Sequence, residues 1–169
     1  LKDIGKLDEA KVHYKTAINL KPFLYKAHSG YLFCLNYFEG LSTDSAMEEA
    51  KKFGQIASKN APVKYSSWKC DPNPNRLRVG FVSGDFRNHP VGSFFEGLIA
   101  KLNPKQFELI AFTASHIEDE LTLRIKPYFN QWVSLYGKSD KQAAELIYEQ
   151  APHILIDLSG HTALNRLPV

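Results

Sequence analysis

Apolar residues in the first third of the chain recur at helical intervals. Ala10, Tyr14, Ala17 and Leu20 are spaced three or four residues apart, which places them on one face of a helix that Pro22 ends. Two more stripes of this kind have their apolar positions at Ala27, Tyr31, Leu35 and Phe38, and at Ala46, Ala50, Phe53 and Ala57. Residues 1–58 are therefore predicted to form three helices.

After a proline-rich segment, the pattern changes to apolar strands that alternate with helical stripes. The predicted strands read LRVGFVS, FELIAFTA, QWVSLYG and HILIDLS. Strands separated by helices indicate βαβ units, a mainly parallel sheet and right-handed crossovers. The nearly continuous apolar run in HILIDLS favours a strand that is covered on both faces. The predicted fold class is α+α/β, with helical hairpins at 1–58, a linker at 59–76 and a partial Rossmann-like sheet at 77–169.

Two helix starts show the spacing of a capping box, in which two side chains each bind the other residue's backbone N–H. Ser45 is followed by Glu48 in the third helix, and Ser139 is followed by Gln142 before the last strand. We therefore expect these two helices to begin at Ser45 and Ser139.

The first helical stripe has a more specific pattern than amphipathicity alone requires. Its positions match the second helix of a tetratricopeptide repeat, a unit of about 34 residues, and they are Gly5, Ala10, Tyr14, Ala17 and Pro22. Small alanines allow paired helices to approach closely, and the aromatic ring fills the gap between them. Because the chain opens inside such a repeat, we expect it to be a fragment of a longer protein.

Composition narrows the classes of partner. The 169 residues include 21 Lys and Arg and 18 Asp and Glu, a formal charge of +3 without a basic cluster, which argues against nucleic acid as a partner. No run of apolar residues is long enough to span a membrane. Cys34 and Cys70 are isolated thiols without metal-ligand spacing, which favours a reducing, cytoplasmic compartment and no metal site.

Candidate chemistry lies where the first and fourth strands end. Parallel α/β sheets bind ligands beyond the carboxyl ends of their strands, at the point where the strand order reverses. If the strand order is 3-2-1-4, the first and fourth strands are neighbours at that point, and both are followed by a loop that carries a histidine. We name these the His89 loop, residues 83–90, and the His161 loop, residues 159–166.

The His89 loop reads SGDFRNHP. Asn88 or His89 is suited to cap the following helix, and Pro90 suits its first turn. The positive end of the helix dipole disfavours the imidazolium, so His89 is expected to be a neutral ring that accepts a hydrogen bond or a proton. The alternative is turn and cap chemistry alone, with His89 directed to solvent.

The His161 loop reads SGHTALNR. Gly160 permits a tight exit from the strand, and His161 and Thr162 supply a ring and a hydroxyl at the edge of the same crevice. Asn165 and Arg166 are candidates to reach a phosphate or a peptide backbone. The alternative is a glycine turn with polar capping residues.

A third histidine, His153, precedes an apolar strand and is predicted to be a strand-entry residue rather than a ligand. The sequence contains neither a dinucleotide fingerprint nor a P-loop.

At these residues the chain resembles the O-GlcNAc transferase family, which includes bacterial and plant SPINDLY-like members. The matching stretches, in the order of the family, are GKLDEAKVHYKTAINLKP, LRVGFVSGDFRNHPVGSFF, FELIAFTAS and HILIDLSGHTALNRLPV. The resemblance implies a GT-B architecture of two Rossmann-like lobes, with UDP-GlcNAc as the donor and protein Ser or Thr hydroxyls as acceptors. It implies no metal ion or other cofactor, and a repeat array that presents the acceptor protein to the cleft.

By the matching motif, His89 is the implied active-site histidine, with Asn88 and Pro90 beside it. Its role is either to accept the proton of the acceptor hydroxyl or to orient that hydroxyl. The His161 loop is implied to border the same cleft. Because the chain stops inside the first lobe, the fragment alone is expected to be inactive.

Three other functions remain open. The first is a non-catalytic repeat module that holds partner peptides, and the second is a different α/β enzyme that uses a nucleotide. The third is an O-fucosyltransferase of the SPINDLY-like kind.

Overall fold

The computed structural model describes residues 1–61 and 64–169. The chain divides into two compact units, Leu1–Ala61 with Pro168, and Pro62–Leu167 with Val169. Residues 62 and 63 of the predicted linker lie outside the described part. Among the described residues, no helix is both long and apolar enough to cross a membrane.

The first unit contains the three expected helices. They are α1 (Leu7–Leu20), α2 (Tyr25–Leu35) and α3 (Thr43–Asn60), and a short 3-10 turn (Lys2–Ile4) precedes them. Gly30 of α2 leaves room for the Tyr14 ring of α1, since an added Cβ would lie 2.6 Å from that ring and the ring would have to move. Ala10 on α1 is likewise small and buried. The pattern thus identified a packed helical pair, with Phe38 lying beyond the end of α2.

The second unit is a four-stranded parallel sheet with helices between its strands. Its elements are β1 (Leu77–Ser83), α4 (Pro90–Ile99), β2 (Phe107–Thr113), α5 (Glu120–Ile125) with a 3-10 turn (Lys126–Tyr128), β3 (Gln131–Ser134), α6 (Asp140–Glu149) and β4 (Ile154–Asp157). The strand order is β3-β2-β1-β4, and every pairing is parallel. The mixed α/β fold class is confirmed, and the strand order is the 3-2-1-4 on which the location of the candidate site depends.

Only one of the two predicted capping boxes forms. At α6, Ser139 accepts the N–H of Gln142, and the Gln142 side chain accepts the N–H of Ser139. The box predicted at Ser45 is wrong, because Ser42 caps α3 by accepting the N–H of Ser45. Ser42 has the same capping chemistry three residues earlier, so α3 begins sooner.

Apolar clusters cover the two faces of the central strands. One cluster packs Phe81 and Val79 of β1 against α4 and α5, and the other packs Ile110 and Phe112 of β2 against α6. Both faces of β1 and β2 are therefore buried, as parallel strands require.

The prediction that the fourth strand is covered on both faces is wrong for the described chain. Ile154, Leu155 and Ile156 are 42, 47 and 37% exposed. The cause is the position of β4 at the edge of the sheet, where it pairs with β1 alone among the described strands.

Candidate functional site at the carboxyl ends of strands β1 and β4

The His89 and His161 loops lie side by side. Val82 pairs with Asp157 across β1 and β4, and the carbonyl of Val82 accepts the N–H of Leu158 at 3.0 Å. Beyond the strands, a Cβ on Gly84 would lie 2.7 Å from Cβ of Leu164. Two loops separated by about seventy residues of sequence thus share one edge of the sheet, where this fold class binds ligands.

His89, rather than Asn88, caps α4. Its Nδ1 atom accepts the backbone N–H of Val91 at 3.3 Å, and Pro90 occupies the first turn of the helix. An Nδ1 atom that accepts a hydrogen bond carries no proton, so the neutral ring holds its proton on Nε2. The side chain is 36% exposed. In this tautomer, Nε2 is the ring atom that donates a hydrogen bond to a ligand.

A buried carboxylate lies next to the same ring. Asp85 Oδ2 is 3.7 Å from His89 Nδ1, and Asp85 Oδ1 is 3.3 Å from Nη2 of Arg87. The Asp85 side chain is 7% exposed. If the ring proton moves to Nδ1, that nitrogen no longer accepts the N–H of Val91, and its own N–H faces Asp85. At 3.7 Å the carboxylate is beyond hydrogen-bond distance of Nδ1, so the bond from Val91 defines the observed tautomer.

Tight packing fixes the course of the His89 loop against α4. A Cβ on Gly92 would lie 2.3 Å from the carbonyl oxygen of Arg87 and 2.8 Å from that of Asp85. Phe86, only 3% exposed, packs its ring against Phe95 at a centroid distance of 5.5 Å. The loop is consequently held at its middle by a buried ring and at its end by a backbone contact.

Sequence reasoning missed two residues at the start of α5 that bind this loop: its N-cap, Asp119, and Thr122. Asp119 Oδ2 accepts the N–H of Asn88 at 2.6 Å, and Thr122 Oγ1 donates to the carbonyl of Phe86, also at 2.6 Å. The N–H of Asn88, with further bonds from Thr122, holds the pKa of Asp119 below its ordinary value. Asp is a preferred N-cap residue, so the sequence does offer a helix start at Asp119. That signal predicts a helix start but does not identify the loop bound there.

Short-range hydrogen bonds order the first part of the His161 loop. Gly160 has a φ of 52°, and its N–H donates to Asp157 Oδ2 at 2.6 Å. Thr162 Oγ1 donates to the carbonyl of Ser159 at 2.7 Å. Burial lowers the pKa of His161 below its ordinary value, and the charge of Asp157 opposes this in part. A neutral, half-buried ring therefore lies at the edge of the crevice.

The last two polar residues of the loop bind within the chain. Arg166 donates to the carbonyls of Leu135 at 2.6 Å and Lys138 at 3.0 Å, and to Asp140 Oδ1 at 3.1 Å. Asn165 Nδ2 donates to the carbonyl of Thr162 at 2.7 Å, which closes a turn. These bonds attach the His161 loop to the segment between β3 and α6. A ligand-binding role for either residue stays a prediction.

His153 lies at the amino ends of the strands, opposite the candidate site, as expected of a strand-entry residue. Its Nδ1 accepts the N–H of Arg78 at 3.0 Å, and its Nε2–H donates to the carbonyl of Asp71 at 2.8 Å. One ring nitrogen therefore binds the start of β1, and the other binds the segment that precedes β1.

A pocket of 480 Å³ lies elsewhere on the second unit, and its lining includes Tyr65, Trp68, Tyr148 and Leu155. Neither histidine loop contributes to it, so the pocket is not part of the candidate site. The described residues contain no group of three His, Cys, Asp or Glu side chains placed to hold a metal ion.

Comparison with known proteins gives one family match and several relatives. The model of the family described as glycosyl transferase family 41 matches residues 43–168, which include both histidine loops. The chain is 29% identical over 159 residues to a protein of Oryza sativa subsp. japonica named probable UDP-N-acetylglucosamine–peptide N-acetylglucosaminyltransferase SPINDLY. A SPINDLY protein of Arabidopsis thaliana with the same name is 30% identical over 142 residues.

These matches cover most of this chain but little of the relatives. The chain aligns over 91% of its length with the rice protein and over 80% with the Arabidopsis protein, which correspond to 17% and 15% of those proteins. A solved structure of a mutant O-GlcNAc transferase of Thermobaculum terrenum superposes with a TM-score of 0.85 at 28% identity. That alignment covers 96% of this chain and 31% of the other.

Proposed function

The chain belongs to glycosyl transferase family 41, and we propose that the whole protein transfers N-acetylglucosamine from UDP-GlcNAc to Ser or Thr hydroxyls of proteins. The proposal draws on the names of the rice and Arabidopsis relatives and of the structural neighbour. Because the chain spans only 17% of the rice protein, the activity is assigned to the whole protein and not to these 169 residues.

One observation of the structure carries the assignment to this edge of the sheet. Leu164 packs on Gly84, so the His89 and His161 loops form one continuous border at the carboxyl ends of β1 and β4. Both loops fall inside the stretch that matches the family. The proposed site is this border, with His89 as its reacting side chain and Asn88, Pro90, Gly160, His161, Thr162, Asn165 and Arg166 as its substrate-binding candidates.

The reaction needs a group that handles the proton of the acceptor hydroxyl. The oxygen of the acceptor hydroxyl forms a bond to the anomeric carbon of the sugar. The bond from that carbon to the diphosphate breaks at the same time, and UDP leaves with the electron pair. In the tautomer whose Nδ1 accepts the N–H of Val91, the Nε2–H of His89 can donate to an oxygen of the sugar or acceptor and orient it. To accept the hydroxyl proton, Nε2 must be unprotonated, and the other proton then faces Asp85 from Nδ1.

The direct test is transfer of labelled sugar to a protein extract. We expect the whole protein to transfer from UDP-GlcNAc, and we expect the 169-residue chain alone to transfer nothing. Transfer from GDP-fucose in place of UDP-GlcNAc would replace this proposal with the O-fucosyltransferase alternative. Absence of transfer from both donors would favour the peptide-binding module.

Further parts of the proposal concern the setting of the reaction. The helical unit, Leu1–Ala61, is proposed as the end of a tetratricopeptide array that presents acceptor proteins, and the sheet as part of the first GT-B lobe. Its stripe of small and aromatic residues supports the repeat assignment. We also propose a cytoplasmic enzyme that needs no metal ion or cofactor, and transfer that persists in a chelator such as EDTA would support that part.

A further inference from the structure

We propose that Asp119 and Thr122, at the start of α5, are positioning residues that hold the His89 loop in the conformation that sugar transfer requires. The catalytic part of this inference rests on the proposed function. The structural part, a fixed loop, is measurable without any transfer.

Asp119 joins two elements through its two carboxylate oxygens. Oδ1 accepts the N–H of Thr122 at 3.1 Å and so caps α5, whereas Oδ2 accepts the N–H of Asn88 at 2.6 Å. Asn88 is exposed, so water would otherwise compete for its N–H. A hydrogen bond to an ionised carboxylate is stronger than a neutral one. Asp119 therefore fixes the backbone of the residue that precedes His89.

Thr122 binds the His89 loop from the interior of the protein. Its hydroxyl accepts the N–H of Asp119 at 3.1 Å and donates to the carbonyl of Phe86 at 2.6 Å. The side chain is fully buried, so no water replaces the hydroxyl if it is lost. The donated proton goes to Phe86, because one hydroxyl proton serves one strong acceptor.

The two bonds act on backbone groups that flank Arg87. The carbonyl of Phe86 and the N–H of Asn88 are both held by α5, at sequence separations of 36 and 31 residues. His89 follows directly, and its ring orientation depends on the backbone at that point. Displacement of a reacting group by about 1 Å is enough to lower a rate by up to a hundredfold.

The chain supplies a matched control in the capping box of α6. Ser139 and Gln142 make the same reciprocal bonds, and the bonds that their side chains form stay within that box. Loss of this box removes a helix cap without any direct effect on the His89 loop. A comparison of the two boxes therefore separates positioning from stability.

The experiment uses the whole protein with four single substitutions: Thr122→Val, Thr122→Ser, Asp119→Asn and Ser139→Ala. Thr122→Val and Asp119→Asn should lower kcat for sugar transfer about tenfold, with the KM for UDP-GlcNAc changed less than about twofold. Thr122→Ser keeps the hydroxyl and should restore kcat. Ser139→Ala should lower the melting temperature while the His89 loop keeps both of its bonds to Asp119 and Thr122.

Hydrogen–deuterium exchange of the peptide spanning residues 84–92 supplies the second measurement. It should be faster in Thr122→Val and Asp119→Asn and unchanged in Ser139→Ala. Unchanged exchange in the first two variants would overturn the inference, and so would faster exchange with wild-type kcat. If the wild-type protein transfers no sugar, the proposed function fails together with the catalytic part, and faster exchange still supports the fixed loop.

Discussion

Leu164 of the His161 loop lies directly against Gly84 of the His89 loop. A Cβ added to Gly84 would be 2.7 Å from Cβ of Leu164 and 3.0 Å from its Cδ1 atom. Leu164 has a φ of 62°, a conformation that non-glycine residues rarely adopt. The contact between the loops therefore depends on a missing side chain in one loop and an uncommon backbone angle in the other.

The first prediction concerns this contact. Gly84→Ala should lower the free energy of unfolding by about 1–3 kcal/mol, because the added methyl group has no space beside Leu164. A second change, Leu164→Gly, removes the opposing Cβ and suits the positive φ, so the double variant should recover part of the loss. Urea unfolding measures both. Additive losses in the double variant would show that the two loops do not press on each other.

The second prediction compares two glycines of α4. Gly92→Ala should cost about 3 kcal/mol, because its methyl group would meet the backbone oxygen of Arg87, which cannot rotate away. Gly97 has nothing within 4 Å of an added Cβ, so Gly97→Ala should stabilise the helix by about 0.5–1 kcal/mol. Opposite signs are expected in urea unfolding, and a loss of the same size at both positions would contradict the close approach at Gly92.

The third prediction concerns His153. His153→Ala removes the acceptor of the Arg78 N–H and the donor to the Asp71 carbonyl, so it should destabilise the second unit by about 1–3 kcal/mol. Thermal unfolding followed by circular dichroism measures the effect. A melting temperature equal to that of the wild type would mean that the ring does not hold the strand entry.

The fourth prediction is a pH dependence due to His161. Its folded-state pKa lies below the ordinary value of 6.5, so the unfolded chain takes up the proton first as the pH falls. The associated stability is complete above pH 6.5 and is lost as the pH falls from there through the folded-state pKa. His161→Gln should therefore reduce the decline in stability between neutral and mildly acidic pH. An unchanged pH profile in that variant would assign the decline to other groups.

Most of the framework was predictable because local patterns determine it. The strand LRVGFVS is the observed β1 residue for residue, and the capping box at Ser139 begins α6 as the sequence indicates. These features depend on residues close together in the chain. The strand order was predictable because parallel βαβ folds have few arrangements.

The errors and omissions concern contacts between distant residues. The apolar run of β4 was interpreted as buried, but burial depends on whether another element lies beside the strand. The part played by Thr122 requires its hydroxyl to reach Phe86, which is 36 residues away. A contact between residues so far apart in the chain produces no periodic pattern in the sequence. The bonds of Arg166 to the carbonyls of Leu135 and Lys138 also join residues about thirty positions apart, so the sequence pattern does not show them.

In the proposed function, sugar transfer takes place at the His89 loop. His89→Asn tests it with the least effect on folding, because asparagine is also a good helix cap and can replace the bond from Val91. The measurement is kcat for transfer of GlcNAc from UDP-GlcNAc by the whole protein, with the melting temperature as the control. We expect kcat to fall by about a hundredfold or more while the melting temperature stays nearly unchanged. Wild-type kcat in this variant would contradict transfer at this loop.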